Sequence, residues 1–246
     1  MKDLFSTQSK NYATFRPSYP ASLYDFIFDK VRKFDTAWDA GCGNGQVAKD
    51  VAPMFRKVFA TDISAKQLKQ AVKVENVFYS VAGETTSFDS RMFDLITVGQ
   101  AIHWFDRDLF YKEVKRVGKP GGVIAVWGYS LLHVDPVIDE KLRHFYTQIV
   151  GPYWDAERQL VDEQYKTISF PFDEIRTPEF SFAIEWSLAE LEGYLSTWSS
   201  VQKYIAAKGE DPVPAFISRI TPLWESERKT IRFPLFARIG MIGDSR

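Results

Sequence analysis

Asp39-Ala40-Gly41-Cys42-Gly43-Asn44-Gly45-Gln46 follows a short apolar run, Thr36–Ala40, and leads into a helical stretch, Gln46–Pro53. An apolar run that ends on glycines and opens a helix reads as a strand–turn–helix unit. Glycines there let the backbone turn tightly and approach a ligand closely. A ligand at that position faces the unpaired N–H groups of a helix N-terminus. Asp62, 23 residues after Asp39, ends a second strand-like run, Lys57–Asp62. A carboxylate at that strand end can accept both hydroxyl hydrogens of a ribose. Together they describe a nucleoside-containing cofactor held at the carboxyl ends of parallel strands.

The alternation continues outward. Ser64 and Gln67 form a capping-box pattern ahead of Leu68 and Val72. Val77–Val81, Phe93–Val98 and Gly122–Trp127 read as strands, and Arg107–Val117 as a helix ended by Gly118 and Pro120. Past Trp127 the pattern weakens. Pro136–Val150 reads as a helix, 151–178 as irregular and aromatic, and Phe180–Trp186 as a strand. Leu188–Ala207 reads as one long helix capped by Ser187, Pro212–Trp224 as a short helix, and Thr230–Ile239 as a last strand interrupted at Pro234. The expectation is an α/β fold: a Rossmann-like, seven-stranded, mostly parallel sheet with helices on both faces. A single domain would span 1–246, with a cofactor-binding core over about 1–130, a helical and aromatic cap inserted after the fifth strand at about 131–180, and the final strands and helices over about 181–246.

Composition narrows the function classes. Of 246 residues, 31 Lys+Arg balance 32 Asp+Glu, so no global positive charge draws the chain to nucleic acid or an anionic membrane. The longest uncharged run, Pro120 to Val134, has 15 residues, short of the roughly 20 a membrane span needs. The opening MKDLFSTQSKNYATFR lacks the apolar core of a signal peptide. The lone cysteine, Cys42, points to a reducing, cytoplasmic setting. Cysteine-pair zinc sites are excluded, and His103, His133 and His144 show no close ligand spacing, so no metal is expected. The 38 Phe, Tyr and Trp (20 + 11 + 7) exceed what a core needs and can line a pocket.

The glycine spacing G-x-G-x-G departs from the dinucleotide pattern G-x-G-x-x-G, and no Lys-Ser/Thr follows to make a P-loop. The order D-x-G-x-G-x-G, then Asp62-Ile63-Ser64, resembles the class I S-adenosylmethionine-dependent methyltransferases. The stretch from Asp94 to Asp106, with its His103-Trp104-Phe105-Asp106 run, is similar to the fourth-strand motif of a small-molecule branch, methyltransferase type 11, that includes enzymes like trans-aconitate methyltransferase. Arg116 to Gly122 looks like the fifth-strand motif, with Gly118 where Leu is usual. Tyr12 to Pro20 and Gly193 to Ser200 also resemble this branch, so the likeness covers nearly the whole chain.

The resemblance implies S-adenosyl-L-methionine as cofactor and S-adenosyl-L-homocysteine as product. It implies that Gly41, Gly43 and Gly45 line the methionine part and that Asp39 orients the loop. Asp62 would bind ribose, Ile63 would pack on adenine, and Gln67 lies within reach. Gly83 and Glu84 would hold the adenine edge, with a solvated turn acid as the alternative for Glu84. Gly99 and Gln100 would leave the fourth strand beside the sulfonium, and Tyr12 and Arg16 would close over the cofactor. A structural salt bridge is the alternative for Arg16. His103 is the candidate general base, with a positioning role favoured. His103, Trp104, Phe105, Trp127, Tyr129, Tyr194 and Trp198 would frame the acceptor pocket, core packing being the competing role for each aromatic ring. A polycarboxylate acceptor would call for Arg107, Arg143 or Lys203 inside the cap. Cys42 reads poorly as a nucleophile, and Tyr111 with Lys115 sits on one face of an ordinary helix. The expected activity is methylation of a carboxylate or hydroxyl on a small molecule by a monomer or homodimer. The alternatives are a non-catalytic binder of the cofactor or its demethylated product, a protein methyltransferase, and a nicotinamide-dependent oxidoreductase that the glycine spacing disfavours.

Overall fold

β1 (Thr36–Ala40) lies in the interior of the sheet in this computed structural model, which describes residues 18–243. Parallel neighbours flank it: β2 (Lys57–Asp62) and β4 (Phe93–Gly99). Such strands are buried on both faces, so they read as continuous apolar runs rather than alternating ones. β3 (Val77–Val81) pairs outside β2, and β5 (Gly118–Tyr129) pairs beside β4, both parallel. β8 (Lys229–Met241) runs antiparallel to β5. β6 (Asp173–Ile175) and β7 (Phe180–Trp186) both pair antiparallel with β8. β8 is therefore the one strand of the eight-stranded sheet that runs against the others. The seven expected strands are all present; the eighth, β6, is a three-residue edge too short to show an alternation.

The helices are α1 (Ala21–Phe28), α2 (Gln46–Val51), α3 (Ala65–Lys69), α4 (Arg107–Val117) and α5 (Pro136–His144), followed by α6 (Arg158–Asp162), α7 (Leu188–Ser196), α8 (Ser199–Lys208) and α9 (Val213–Ile220). Side-chain oxygens start several of them. Ser64 accepts from the Gln67 N–H, Asp106 from Leu109, and Asp135 from both Val137 and Ile138. Ser187 and Glu190 make a complete capping box at α7. Two apolar layers cover the sheet: Leu95 belongs to one with Leu23, Ile27 and Trp127, and Ile96 to the other with Trp38, Phe110 and Val114. Successive residues of β4 thus feed opposite layers, as the strand period requires.

Several boundaries differ from the sequence reading, each for a physical reason. α2 stops at Val51 and Pro53 lies in a short 3₁₀ turn, Ala52–Met54. β5 begins at Gly118, where a Cβ would meet Ile242 Cδ1 at 2.5 Å and the Val114 carbonyl at 2.8 Å; a leucine has no room there. The stretch after α5 winds into a π-turn at Phe145–Ile149. The long helix expected over Leu188–Ala207 is two helices. Trp198 takes an extended conformation between them and is buried. Pro234 does not interrupt β8, since β7 pairs with residues up to Leu235 and β5 from Leu235 onward. The proline falls at this change of partner, and its carbonyl accepts from the Ser130 N–H. Among the described residues no helix is long and apolar enough to cross a membrane.

Ser187→Ala removes the hydroxyl that accepts from the Glu190 N–H and donates to the Glu190 carboxylate, while the residue-187 N–H keeps its bond to that carboxylate. We expect a loss of about 1 kcal/mol, seen in a thermal melt as a drop of roughly 2–4 °C for a domain of this size; an unchanged midpoint would show that the box contributes nothing.

Candidate functional site

The strand tips of β1, β2 and β4 open into one pocket, bounded on one side by the glycine bend and on the other by the segments after β5. The bend needs left-handed backbone at Gly41, Gly43 and Gly45, with φ of 68°, 55° and 79°. At Gly41 a Cβ would strike Ala101 Cβ at 2.8 Å. At Gly43 it would meet nothing within 4 Å, so bare backbone faces open space on the pocket wall. Gly45 is the N-cap of α2 and lies against the Tyr79 hydroxyl rather than on that wall.

Asp62 fixes the bend. Its Oδ2 accepts from the Gly43 N–H at 2.9 Å and its Oδ1 from the Ser64 N–H at 2.8 Å. The Cys42 N–H bonds the Thr61 carbonyl at 2.9 Å, tying bend to strand. Asp39 is buried beneath. Its Oδ1 accepts from the Thr97 hydroxyl at 2.9 Å, while Oδ2 has no hydrogen-bond partner among the described residues. Burial raises the Asp39 carboxyl to about 7, and the nearby Asp62 and Asp50 carboxylates add to the rise; the Thr97 hydroxyl and the Ala48 N–H oppose it. Gln67 Oε1 is likewise buried on this wall without a partner. Burial also pushes the Cys42 thiol up, so it is no nucleophile.

Gln100 follows the last residue of β4 with φ of 54°, uncommon for a residue with a side chain. Its N–H donates to the Trp127 carbonyl at 2.8 Å and its Oε1 accepts from the Tyr129 N–H at 2.9 Å. The side chain locks the β4 and β5 tips together, beside Gly99 on the pocket wall.

His103 sits in a 3₁₀ turn, Ile102–Trp104, on the same wall. Its Nδ1 and the Tyr165 hydroxyl lie 2.8 Å apart. Burial drops the His103 pKa to about 3, and the positive Arg158 and Arg107 deepen the drop, so the ring is neutral. Tyr165 is fully buried, and its hydroxyl has no other partner among the described residues. Leaving a buried hydroxyl hydrogen unpaired is costly, so Tyr165 donates to Nδ1 and the ring hydrogen sits on Nε2. The Tyr165 ring reaches that position through a left-handed turn at Gln164 and Tyr165, with φ of 57° and 58°.

The remaining sequence-selected residues divide. Asp39, Gly41, Gly43, Asp62, Ile63, Gln67, Gly99, Gln100, His103, Trp104, Tyr129, Tyr194 and Trp198 share the pocket. Phe105 does not; its ring is buried under Gly41 and against Phe110, at 4.9 Å between centroids. Trp127 is fully buried beneath Gly99, edge-on to Tyr19 and Tyr24, and is core. Gly83 touches Ile63 from outside the pocket. Glu84 Oε1 accepts from the Asp106 N–H at 3.0 Å at the start of α4, away from the pocket wall. Tyr12 and Arg16 lie outside the described residues. Arg107 and Arg143 are not on the wall, and Lys203 is spent on Asp155 at 2.5 Å. Tyr111 and Lys115 face the Phe172 ring, as on an ordinary packed helix. The sequence reading missed Trp154, Asp155 and Arg158, which line the pocket from the segment after β5. Only the unusual aromatic content of 151–178 hinted at them.

An open left-handed glycine, an unpartnered buried Asp39 Oδ2, an unpartnered Gln67 Oε1 and a strand-end Asp62 fit a cofactor carrying a ribose and donor groups. Comparison with known proteins agrees. The methyltransferase domain family matches residues 38–126. A Dictyostelium discoideum protein assigned to the methyltransferases is 32% identical over 244 residues, covering 95% of this chain and 93% of that one. A Saccharomyces cerevisiae protein assigned as an S-adenosylmethionine-dependent methyltransferase is 31% identical over 133 residues, 50% of this chain and 45% of that one. Among solved structures, an Anaeromyxobacter dehalogenans protein assigned as a type II methyltransferase superposes with a TM-score of 0.87 at 33% identity, over 94% of this chain and 100% of that one. The chain belongs to the S-adenosylmethionine-dependent methyltransferases.

Two outcomes follow. Asp62→Ala frees the Gly43 and Ser64 N–H groups and removes the strand-end carboxylate, so S-adenosylmethionine affinity should fall at least about ten-fold by calorimetry; equal affinity would move the cofactor elsewhere. Asp39 carries its proton in the folded chain up to about pH 7, against an ordinary 3.8. Folding is thus favoured below that lower value and loses the contribution as pH rises through the folded one. Between pH 4 and 7 the ligand-free wild type should lose thermal stability relative to Asp39→Asn; parallel melting curves would refute the buried proton.

Proposed function

We propose that the protein methylates an oxygen, of a carboxylate or a hydroxyl, on a small-molecule acceptor. The observation that carries this reading is the continuity of the pocket. A single pocket is lined at one end by Asp62 and Gly43 and also by an aromatic chamber of Trp104, Tyr129, Trp154 and Trp198. An aromatic chamber of this kind suits a small, partly apolar acceptor better than a nucleic acid, for which the charge balance supplies no attraction.

S-adenosylmethionine, when bound, supplies an already activated methyl group. The residues then have an alignment task, which in well-oriented systems lowers a barrier by about 7–11 kcal/mol. Gly43, Asp62 and Gln67 would hold the nucleoside and amino-acid parts, and Asp39 would lie under the bend. The aromatic walls restrict the acceptor's orientation. His103 presents an Nε2 hydrogen, so it aligns the acceptor oxygen by donating to it. With its pKa near 3 it is too weak a base to remove a hydroxyl proton at neutral pH. A carboxylate acceptor needs no base at all.

A screen of small acids, phenols and amines with labelled S-adenosylmethionine tests the reading; transfer to amines alone, or to none of the panel, would count against it. His103→Ala should lower kcat at least ten-fold while leaving S-adenosylmethionine affinity within about two-fold, the pattern of a group that acts on alignment. The wild-type kcat should show no limb between pH 5.5 and 7.5 that disappears in His103→Ala; such a limb would restore His103 as a proton carrier.

A further inference from the structure

We propose that Arg158 anchors the acceptor through a carboxylate that is not itself methylated, so the substrate is an acid carrying a second nucleophilic oxygen. This rests on the methyltransferase reading of the same pocket. Arg158 opens α6 and lines the pocket. Its Nε donates to the Tyr146 hydroxyl at 2.8 Å and lies 3.4 Å from Asp162 Oδ1. The guanidinium carbon stands 4.8 Å over the Trp154 ring and 5.5 Å over the Tyr146 ring. Among the described residues no side chain or carbonyl bonds the two terminal nitrogens.

The cation is therefore held in position but only partly neutralised. The Asp162 side chain is 45% exposed, so water screens its charge, whereas the Arg158 side chain is 19% exposed. Asp155, three residues earlier on the same wall, makes no ion pair with Arg158; its Oδ1 is held by Lys203 at 2.5 Å and its buried Oδ2 has no hydrogen-bond partner among the described residues. Neither terminal nitrogen is among the fully buried unpartnered atoms, so both reach the pocket space, where a ligand carboxylate can take the place of water. Those two N–H groups are parallel and match the two oxygens of a carboxylate. Arg158 is fixed from behind by Nε and packs beside the Tyr146 and Trp154 rings, whose centroids are 5.1 Å apart, which leaves the paired end available to the pocket. Trp154, Tyr194 and Trp198 offer flat apolar surface beside it, suited to an aryl or unsaturated acid.

A carboxylate gripped this way has its lone pairs engaged and its basicity lowered, so it makes a poor nucleophile. Methylation then falls on another oxygen of the same molecule, a hydroxyl or a second carboxylate. That oxygen forms the new C–O bond as the methyl–sulfur bond breaks and leaves its electron pair on sulfur; from a hydroxyl, the proton passes to water.

Benzoate and benzamide are the probes, titrated by tryptophan fluorescence against the protein loaded with S-adenosylhomocysteine. Benzoate should bind at least ten-fold more tightly than benzamide. Arg158→Met, which keeps length and apolar contact, should abolish the preference, and Arg158→Lys should recover part of it. S-adenosylhomocysteine should bind Arg158→Met within three-fold of wild type, which also reports that the variant is folded. Undetectable benzoate binding, or equal binding of the two probes, overturns the proposal. So does a variant that loses S-adenosylhomocysteine instead, since Arg158 would then hold the cofactor's own carboxylate. Formation of methyl benzoate from labelled S-adenosylmethionine overturns the anchoring role. Failure of wild type to bind S-adenosylhomocysteine at all would defeat the underlying methyltransferase reading first.

Discussion

The backbone between β1 and α2 must make a tight turn in left-handed conformations, and the Asp62 carboxylate holds it there. Parallel register makes this possible. Ala40 lies opposite Thr61, so the tips of β1 and β2 come out level and Asp62 reaches the Gly43 N–H while its other oxygen takes Ser64. The same carboxylate thus shapes the bend and sets the start of α3. The pocket floor, the orphaned acceptor on Asp39 and the bare Gly43 backbone all depend on this grip. Gln100 does the matching work between β4 and β5, so the tips of four strands are cross-tied by two side chains.

The pocket is electrostatically two-ended. Asp62 makes the bend end acidic, and Arg158 brings a positive charge to the cap end. A cationic donor and an anionic acceptor are the pair that such a cavity stabilises together. Low dielectric strengthens both attractions. The formal charge of the whole chain, −1, reveals nothing of this separation. It arises because the fold brings a segment after β5 over strand tips more than 90 residues earlier in the chain, Asp62 to Arg158.

What the sequence disclosed and what it hid follow from distance along the chain. The bend and Asp62 were legible because their geometry is local: glycines need left-handed backbone, and a strand-end acid needs only its own strand. Ser187 was legible for the same reason, its capping box closing within four residues. Trp127 and Phe105 misled because closeness to a strand tip does not reveal which layer a ring enters; one fills the space under Gly99 and the other the space under Gly41. The break between α7 and α8 left no mark, since Thr197-Trp198-Ser199 contains neither glycine nor proline. Long-range packing makes it: Trp198 is drawn into a ring cluster with Phe145, Tyr146, Trp154 and Tyr194. Arg158 was invisible for the same reason, because nothing near it in sequence says that its partners lie across the pocket.

The five residues of α6 tie the two ends of this chemistry together. Arg158 begins the helix and looks into the pocket, while the left-handed turn just after it swings Tyr165 back under His103. Such a turn costs roughly 1–2 kcal/mol for each residue with a side chain, which burial of the Tyr165 ring and its bond to His103 offset. The result is a histidine whose Nδ1 is committed and whose Nε2 hydrogen is the group left for the pocket. Arg158 contributes to keeping that ring neutral, second only to burial itself. A carboxylate on Arg158 would cancel part of this positive field, raising the proton affinity of His103 without giving it a free lone pair, because Tyr165 still occupies Nδ1. Displacing the helix by a fraction of an ångström would therefore disturb anchor and aligner at once, and the two residues should be read as one device rather than as independent contacts.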